Sequence, residues 1–546
     1  MTNDPNIHVE LIAKQERGAH AASPPEGGDW RAAPSPSPSE TSGDPDSESG
    51  LGRGQGHRSA MSLPLGQCQN APAPDPSFKN SLSHSGLRSP LKTGPAVLLA
   101  LAAAISFHLA YAWAVCSFMI SVYLYCLFEL TRLNSGRQAF YGGLVIGLLV
   151  FAPQLSFFWT IFGPAAIALW LILAFWIAMF LSVARLVRLR LGPIALALLS
   201  PFLWTGLEYF RSELYYLRFS WLNVGFAFGS GPNLLPNRSL GVYGIGFAIM
   251  ACVGLASLLR RRTRIWSGIA LLISLEILEF SPSGTRWEGL KPRGEITVAG
   301  IQLEFPTETE VIASLNQLAH DNPVRLIVLS EYTFDGPVPD GIRAWCRKHN
   351  RYLVVGGKAP APGNDFYDTA FVIGPDGTTV FEQGKKVPIQ FFKDGLPARE
   401  QHLWESPWGK IGICICYDLS YSRVTDELVR LGAQALIVPT MDVADWGKRQ
   451  HELHARVAPV RAAEYGIPIF RVASSGISQC VDARGNVVVS APFPGSGATI
   501  IGFLNLSGEG ALPWDRIIAP LSVFVTGILL AGFTTASVRK RFYRLT

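Results

Sequence analysis

Between residues 95 and 280 the chain is apolar for almost its whole length, and that run constrains the fold more than any other feature. A helix needs about 20 apolar residues to cross the hydrocarbon core of a bilayer. Backbone polar groups left in lipid find no water, so such segments must satisfy themselves as helices. The region then holds seven spans, at about 95–110, 112–130, 141–161, 164–184, 193–210, 240–259 and 265–280. The first and last are short, and the first two could form one re-entrant unit. An eighth span lies at about 516–536. Composition agrees, since only 16% of the residues are charged, against about 25% in soluble domains.

The basic residues orient this layout. Arg132 and Arg137 follow the second span, Arg185, Arg188 and Arg190 the fourth, and RRRTR at 260–264 the sixth. Arg539, Lys540, Arg541 and Arg544 follow the last. With eight spans all of them fall on one side, which the positive-inside rule makes the cytoplasm. Both termini are then cytoplasmic, and everything between the seventh and eighth spans is extracytoplasmic.

Residues 295–505 have a different texture. Short β-rich runs (ITVAGIQ, LIVLSE, YLVVGG, AFVIGPDG, IGICICYD, ALIVPT, IFRVASS, NVVVSAP) alternate with helical stretches and Gly/Pro turns, which predicts an α/β domain. The first 92 residues, rich in Pro, Ser, Gly and charge, cannot bury enough apolar area to offset chain entropy and read as a disordered tail. The expected organisation is therefore a tail at 1–92, a membrane region at 93–282, an α/β domain at 293–507, a final membrane helix at 514–537 and a basic tail at 538–546.

Eight scattered cysteines without a CxxC pair argue against a disulfide scaffold or a zinc site. HELH at 451–454 lacks the zincin spacing and reads as a polar helix face. No metal, no cofactor and no nucleic-acid partner is expected. Three polar residues instead recur at the ends of β-runs: Glu331 after LIVLS, Lys385 after FEQG and Cys416 after GICI. Strand ends in α/β domains are where loops shape a cleft. A thiol nucleophile needs a base to take its proton and a cation or N–H to hold the oxyanion that forms. A carboxylate, an ammonium and a thiol supply these roles. Cys414 competes with Cys416. Two residues apart on a strand, both would face the same way, so alternation does not choose between them.

LSEYTF, GKKVPIQFF and ICICYDLSY, in this order, resemble the Glu-Lys-Cys triad of the nitrilase (carbon–nitrogen hydrolase) superfamily. WTGLEYFR and the stretch RFSWLNVGFAFGSGPNLLPNRSLGVYGIGF are similar to the membrane segment of apolipoprotein N-acyltransferases, a membrane branch of that superfamily. The resemblance covers about residues 95–540. It implies a multi-pass α-helical membrane region joined to an α/β nitrilase-like domain, an α-β-β-α sandwich. It implies catalysis by Glu331, Lys385 and Cys416, with Lys385 preferred over Lys386 and Cys416 over Cys414. A phospholipid would donate the acyl chain, and a diacylglyceryl-prolipoprotein would accept it on its N-terminal amine. The setting would be the inner membrane of a bacterium, amid membrane lipids, with the catalytic domain on the periplasmic side. A membrane-anchored amidase using water as acceptor is the alternative.

Two departures stand out. The family's second functional glutamate falls at Lys393, with Asp394 next to it, and Met441 replaces a common Asn before Asp442. Supporting roles are expected for Tyr417, Asp418 and Asp394. Phe391, Phe392, Trp404 and Trp446 could line the mouth of the site or pack in the core. Glu208 and Arg211, three apart near the outer end of span five, could pair on the helix surface or touch a lipid head group.

Overall fold

The computed structural model describes residues 90–229, 235–259, 294–321, 324–495 and 497–545. Its membrane region begins with α1 (Thr93–Ala112), α2 (Met119–Leu130), α3 (Gly136–Gln154) and the short α4 (Phe157–Phe162). α5 (Ala165–Tyr209) and α6 (Leu235–Leu258) follow, and α12 (Asp515–Leu545) closes the chain. Among the described residues four helices are long and apolar enough to cross a membrane: Thr93–Ala112, Ala165–Leu214, Arg238–Leu258 and Asp515–Ser537.

The expected spans need adjusting in three places. The second is helical only from Met119, after a 3-10 turn at Ala114–Cys116, so α2 is too short to cross alone. The third starts earlier than expected and breaks at Leu155, giving α3 and α4 in place of one helix. The fourth and fifth lie within α5, which breaks at Gly192 (φ 91°) before Pro193. At 1.5 Å per residue, its 45 residues would reach about twice the thickness of the hydrocarbon core. The break makes two spans of it. The seventh span lies outside the described residues.

Small residues hold the bundle together. Gly143 and Gly147, one turn apart on α3, meet Ala178 and Ala174 of α5. A Cβ on either glycine would come 2.5 Å from the facing Ala Cα. Lipid offers no hydrophobic drive between helices, so such close backbone approach is what packs them.

The α/β domain contains two six-stranded sheets. In the first, β12 (Thr499–Asn505), β1 (Glu295–Ile301), β2 (Leu326–Val328), β3 (Tyr352–Pro360), β4 (Phe366–Ile373) and β5 (Thr379–Gly384) lie in that order. The second runs β11 (Val487–Ala491), β10 (Ser478–Val481), β9 (Ile469–Ala473), β8 (Ala435–Thr440), β7 (Gly409–Ile413) and β6 (Leu403–Ser406). Each sheet has a parallel centre, β1-β2-β3 or β7-β8-β9, with antiparallel strands outside it.

Strand periodicity builds the layers. On β3, Val354 faces the core between the sheets, while Leu353 and Val355 face the opposite way. There they pack against Val311, Leu315 and Ile342 of α7 (Glu308–Asp321) and α8 (Asp340–His349). α9 (Ser422–Arg430), α10 (Lys448–Ala455) and α11 (Val457–Tyr465) belong to the second sheet's half, and α11 contacts β9 and β10. The result is the expected α-β-β-α sandwich. Three strands absent from the sequence reading, β6, β10 and β12, complete the sheets. Trp404 packs against Tyr352 and Trp408 in the core, so it does not line the mouth.

A mostly buried connection, residues 210–229, fastens the sandwich to the helices. Glu213 Oε1 accepts from Ser422 N (3.0 Å) and Oγ (2.8 Å), and Trp221 Nε1 donates to Ser420 Oγ (2.8 Å). Glu208 and Arg211 hold this loop from behind. Glu208 accepts from Val224 N at 2.9 Å, and Arg211 donates to Asn223 Oδ1 at 2.5 Å. Both are buried, so neither the surface pair nor the lipid contact forms. A second junction centres on Glu464, which accepts from Val242 N of α6 (3.2 Å), from Arg516 of α12 (3.0 Å) and from Arg461.

Burial opposes ionisation of Glu464, but Arg516 and Arg461 hold its carboxyl down to about 2. Its folded pKa is thus depressed, so its contribution is present above the ordinary carboxylate range and is lost as pH falls through about 2. Glu464→Gln leaves two buried guanidiniums short of an anion. It should cost about 3–5 kcal/mol at neutral pH, read as a lowered thermal unfolding midpoint in detergent.

Candidate active site

The site assembles at the open ends of the parallel strands. Glu331 lies three residues beyond β2, Lys385 directly follows β5, and Cys416 opens the 3-10 helix Cys416–Ser420 after β7. The strand ends at Ile413, so Cys414 and Cys416 do not share a pleated face as the sequence reading supposed. Cys416 adopts φ 50°, a left-handed turn that costs an L-residue roughly 1–2 kcal/mol. Cys414 stays behind it, fully buried beside Ile437. Tyr332 (φ 50°) and Phe391 (φ 71°) carry the same strain around the site. Backbone strain clusters where function needs a side chain aimed against local preference.

Lys385 Nζ donates to Glu331 Oε1 at 2.7 Å, pairs with Asp394 Oδ2 at 2.7 Å and lies 3.4 Å from Asp368 Oδ2. Lys386 points elsewhere, to Glu427. Glu331 Oε2 accepts from Met441 N at 2.6 Å, and its carboxylate charge acts on the Cys416 thiol beside it. Cys416 Sγ also lies 3.7 Å from Met441 O. Residue 441 thus works through its backbone, which explains why Met can stand where Asn is common. Lys393 is exposed, whereas Asp394 turns inward and also accepts from Tyr332 Oη (2.9 Å) and Ile389 N (2.7 Å).

Three carboxylates around one ammonium share too much negative charge to ionise together. Burial opposes the Lys385 charge, but Asp394, Glu331 and Asp368 together hold it protonated. Burial and the Glu331 charge push Asp368 well above the carboxylate range, which favours its protonated form. Burial also raises Asp394, against the pull of Lys385. Glu331 itself is buried, yet Lys385 and hydrogen bonds hold its carboxyl below the usual range. Burial and Glu331 push the Cys416 thiol well up. The resting pair is therefore a carboxylate beside a thiol, a pair between which a proton can pass. The oxygens of Glu331, Asp368 and Asp394 lie within 4.8 Å of one another, a hard-cation donor set, but the ammonium already stands among them.

Asp418 is a fastener. Its carboxylate accepts from Val387 N (2.7 Å), Lys386 N (3.1 Å) and Ile415 N (3.3 Å), tying the Lys385 loop to the Cys416 turn. Tyr417 donates to Arg218 O of the membrane loop at 3.3 Å. Its amide lies in the first turn of the 3-10 helix, where N–H groups have no intrahelical acceptor.

Cys416 opens into a cleft enclosing about 830 Å³, counted to its open mouth. One wall is Phe157, Phe158, Phe162 and Leu173 from the membrane helices. The other is Phe391, Phe392 and Trp446 from the sandwich. The sequence reading missed this membrane wall, and it missed Asp368 and Tyr332. Asp368 had a signal, as a lone acid inside the apolar strand FYDTAFVI. HELH is no solvated helix face, because His451 and His454 are both buried around Asp442.

Two family models match in tandem, the apolipoprotein N-acyltransferase N-terminal domain over residues 96–255 and the carbon-nitrogen hydrolase over 302–513. The chain belongs to the apolipoprotein N-acyltransferase family. A family member from Shewanella oneidensis is 25% identical over 514 residues, covering 82% of this chain and 96% of its own. One from Nitrosomonas europaea is 25% identical over 387 residues, covering 62% and 74%. The omega-amidase NIT2 of Danio rerio is 29% identical over 103 residues, covering only 17% and 37%. Among solved structures, Nit3 of Saccharomyces cerevisiae, from the nitrilase superfamily, is similar over 40% of this chain and 93% of its own, at 20% identity and a TM-score of 0.35. Apolipoprotein N-acyltransferases thus match both regions, and the amidase matches one segment.

Two outcomes check the proton inventory. Alkylation of Cys416, followed by peptide mass spectrometry, should rise with pH to at least 9 without a plateau near neutrality, because burial and Glu331 hold the thiol protonated. Glu331→Gln should slow acylation of Cys416 by about 10²–10⁴-fold.

Proposed function

We propose that this protein moves an acyl chain from a phospholipid, through a thioester on Cys416, to the α-amino group of the N-terminal diacylglyceryl-cysteine of a lipoprotein. The observation that carries the reading is the cleft, in which the thiol faces an apolar space walled partly by membrane helices. A hydrolase of small soluble amides has no use for such a wall. Each buried CH₂ is worth roughly 0.8 kcal/mol, so long-chain substrates react most cheaply without leaving the lipid.

In the first half-reaction Glu331 takes the thiol proton as Sγ attacks the ester carbonyl. Lys385, with one ammonium proton beyond those engaged by Glu331 and Asp394, holds the oxyanion together with the Tyr417 amide. Glu331 returns the proton to the departing lysophospholipid oxygen, and the thioester remains. In the second half-reaction the acceptor amine attacks, the C–S bond breaks, and the thiol is restored. The distribution of Lys and Arg supports a setting in the bacterial inner membrane, with the sandwich on the periplasmic side.

Mass spectrometry of the purified protein after incubation with phospholipid should find one acyl chain, on the peptide holding Cys416. Cys416→Ala should abolish the adduct. An adduct on another cysteine, or thioester lost to water as fast as to an acceptor peptide, would overturn the reading.

A further inference from the structure

The acyl-transfer reading, on which this inference rests, leaves one proton without a base. An acceptor α-amine has an ordinary pKa of about 7.7–8.0 and arrives largely as an ammonium at neutral pH. It must lose two protons to become an amide nitrogen. Glu331 can take only one at a time, and it needs that one for the thiolate it regenerates.

His454 stands in the same cleft. It lines the cavity together with Cys416, Asp442 and Trp221. Its Nδ1 lies 2.7 Å from Asp442 Oδ1. Two lone pairs at that distance would repel, so Nδ1 carries the hydrogen and Nε2 the free lone pair. Arg471 Nη2, 3.0 Å from Nδ1, cannot then donate to it, and it donates to Asp442 Oδ2 instead. Gln450 Nε2 adds a bond to Asp442 Oδ1 at 2.9 Å. Nε2 is buried and finds no partner among the described residues. Trp221 stacks on the imidazole with centroids 4.7 Å apart, which fixes the ring plane. A carboxylate thus sets the tautomer of an imidazole whose other nitrogen is unused, the arrangement of an oriented base.

We propose that His454 is the second base of the site and accepts the first proton of the acceptor ammonium, with Asp442 as its positioning residue. The ammonium gives one proton to Nε2 and becomes an amine. The nitrogen attacks the thioester carbon, the C–S bond breaks, and the second N–H proton passes through Glu331 to the departing thiolate. The imidazolium then releases its proton to solvent. The sum is ammonium plus thioester giving amide, thiol and one proton. The charged and titratable groups facing His454 are Asp442 before α10, Arg471 on β9, Glu331 after β2, and His451 on its own helix. Burial lowers the imidazole below its ordinary value, against the Asp442 charge, so it is neutral and able to accept near pH 7.

The test compares His454→Gln with wild type in two separate half-reactions. Acylation of Cys416 from phospholipid is read first by mass spectrometry. It tests the acyl-transfer reading in the wild type and the integrity of the site in the variant. Transfer from isolated acyl-enzyme to a diacylglyceryl-cysteinyl peptide is then timed from pH 6 to pH 9. The variant should still acylate, with a loss well below its loss in transfer. Its transfer should be about tenfold slower at pH 7, and the gap should widen about tenfold per unit below and close above pH 8, following the neutral amine fraction. A deficit independent of pH, an equal loss in both half-reactions, or unchanged transfer would each overturn the proposal.

Discussion

The site depends on keeping one ammonium charged inside the protein. The Lys385 side chain is 1% exposed, and an unpaired charge at such a position would lose its proton or unfold its surroundings. Glu331, Asp368 and Asp394 prevent this, and they come from three separate places: the loop after β2, strand β4 and the loop that follows Lys385. None is near another in sequence, so the cluster exists only when the first sheet is complete. The crowding of acids in turn decides which of them keeps a proton. Asp368 is pushed toward the neutral form, and Glu331 is left as the carboxylate beside the thiol.

The second requirement, on the proposed reading, is that the thiol meet lipid. The loop at 210–229 settles this with hydrogen bonds in place of apolar contact alone. Glu213, Ser220, Trp221 and the carbonyl of Arg218 all bond to residues 417–422, the segment directly after Cys416. The helix bundle therefore grips the turn that follows β7 and carries Cys416. Asp418 passes that grip on to the Lys385 loop through three backbone N–H groups.

Much of this was legible in the sequence, in proportion to how local the signal is. Twenty-residue apolar runs, a loop arginine pattern and an acid, a lysine and a cysteine after successive β-runs are local features. Strands β6 and β12 escaped because they are sheet edges with mixed exposure, and β10 because it has four residues. The end of β7 at Ile413 escaped because the apolar run continues through Cys414 and Ile415, and nothing in those letters announces a left-handed φ at Cys416. HELH was misjudged for a related reason. Two histidines and a glutamate look solvent-facing until Asp442 and Arg471, from other elements, surround them. Glu208 and Arg211 look like partners by spacing, yet each is taken by a loop that returns to them.

The cleft has one wall from each half of the molecule, Phe157 and Phe158 on one side and Phe391 and Phe392 on the other. The protein is consequently not modular in the usual sense of an enzyme on a tether. Grafting the sandwich onto a foreign anchor would carry over Cys416, Glu331 and Lys385, and leave behind half the apolar wall of the cleft. On the proposed reading, chain-length preference is then a joint property, inherited through pairs of substitutions facing each other across the boundary, and a change on either half alone would leave the two mismatched.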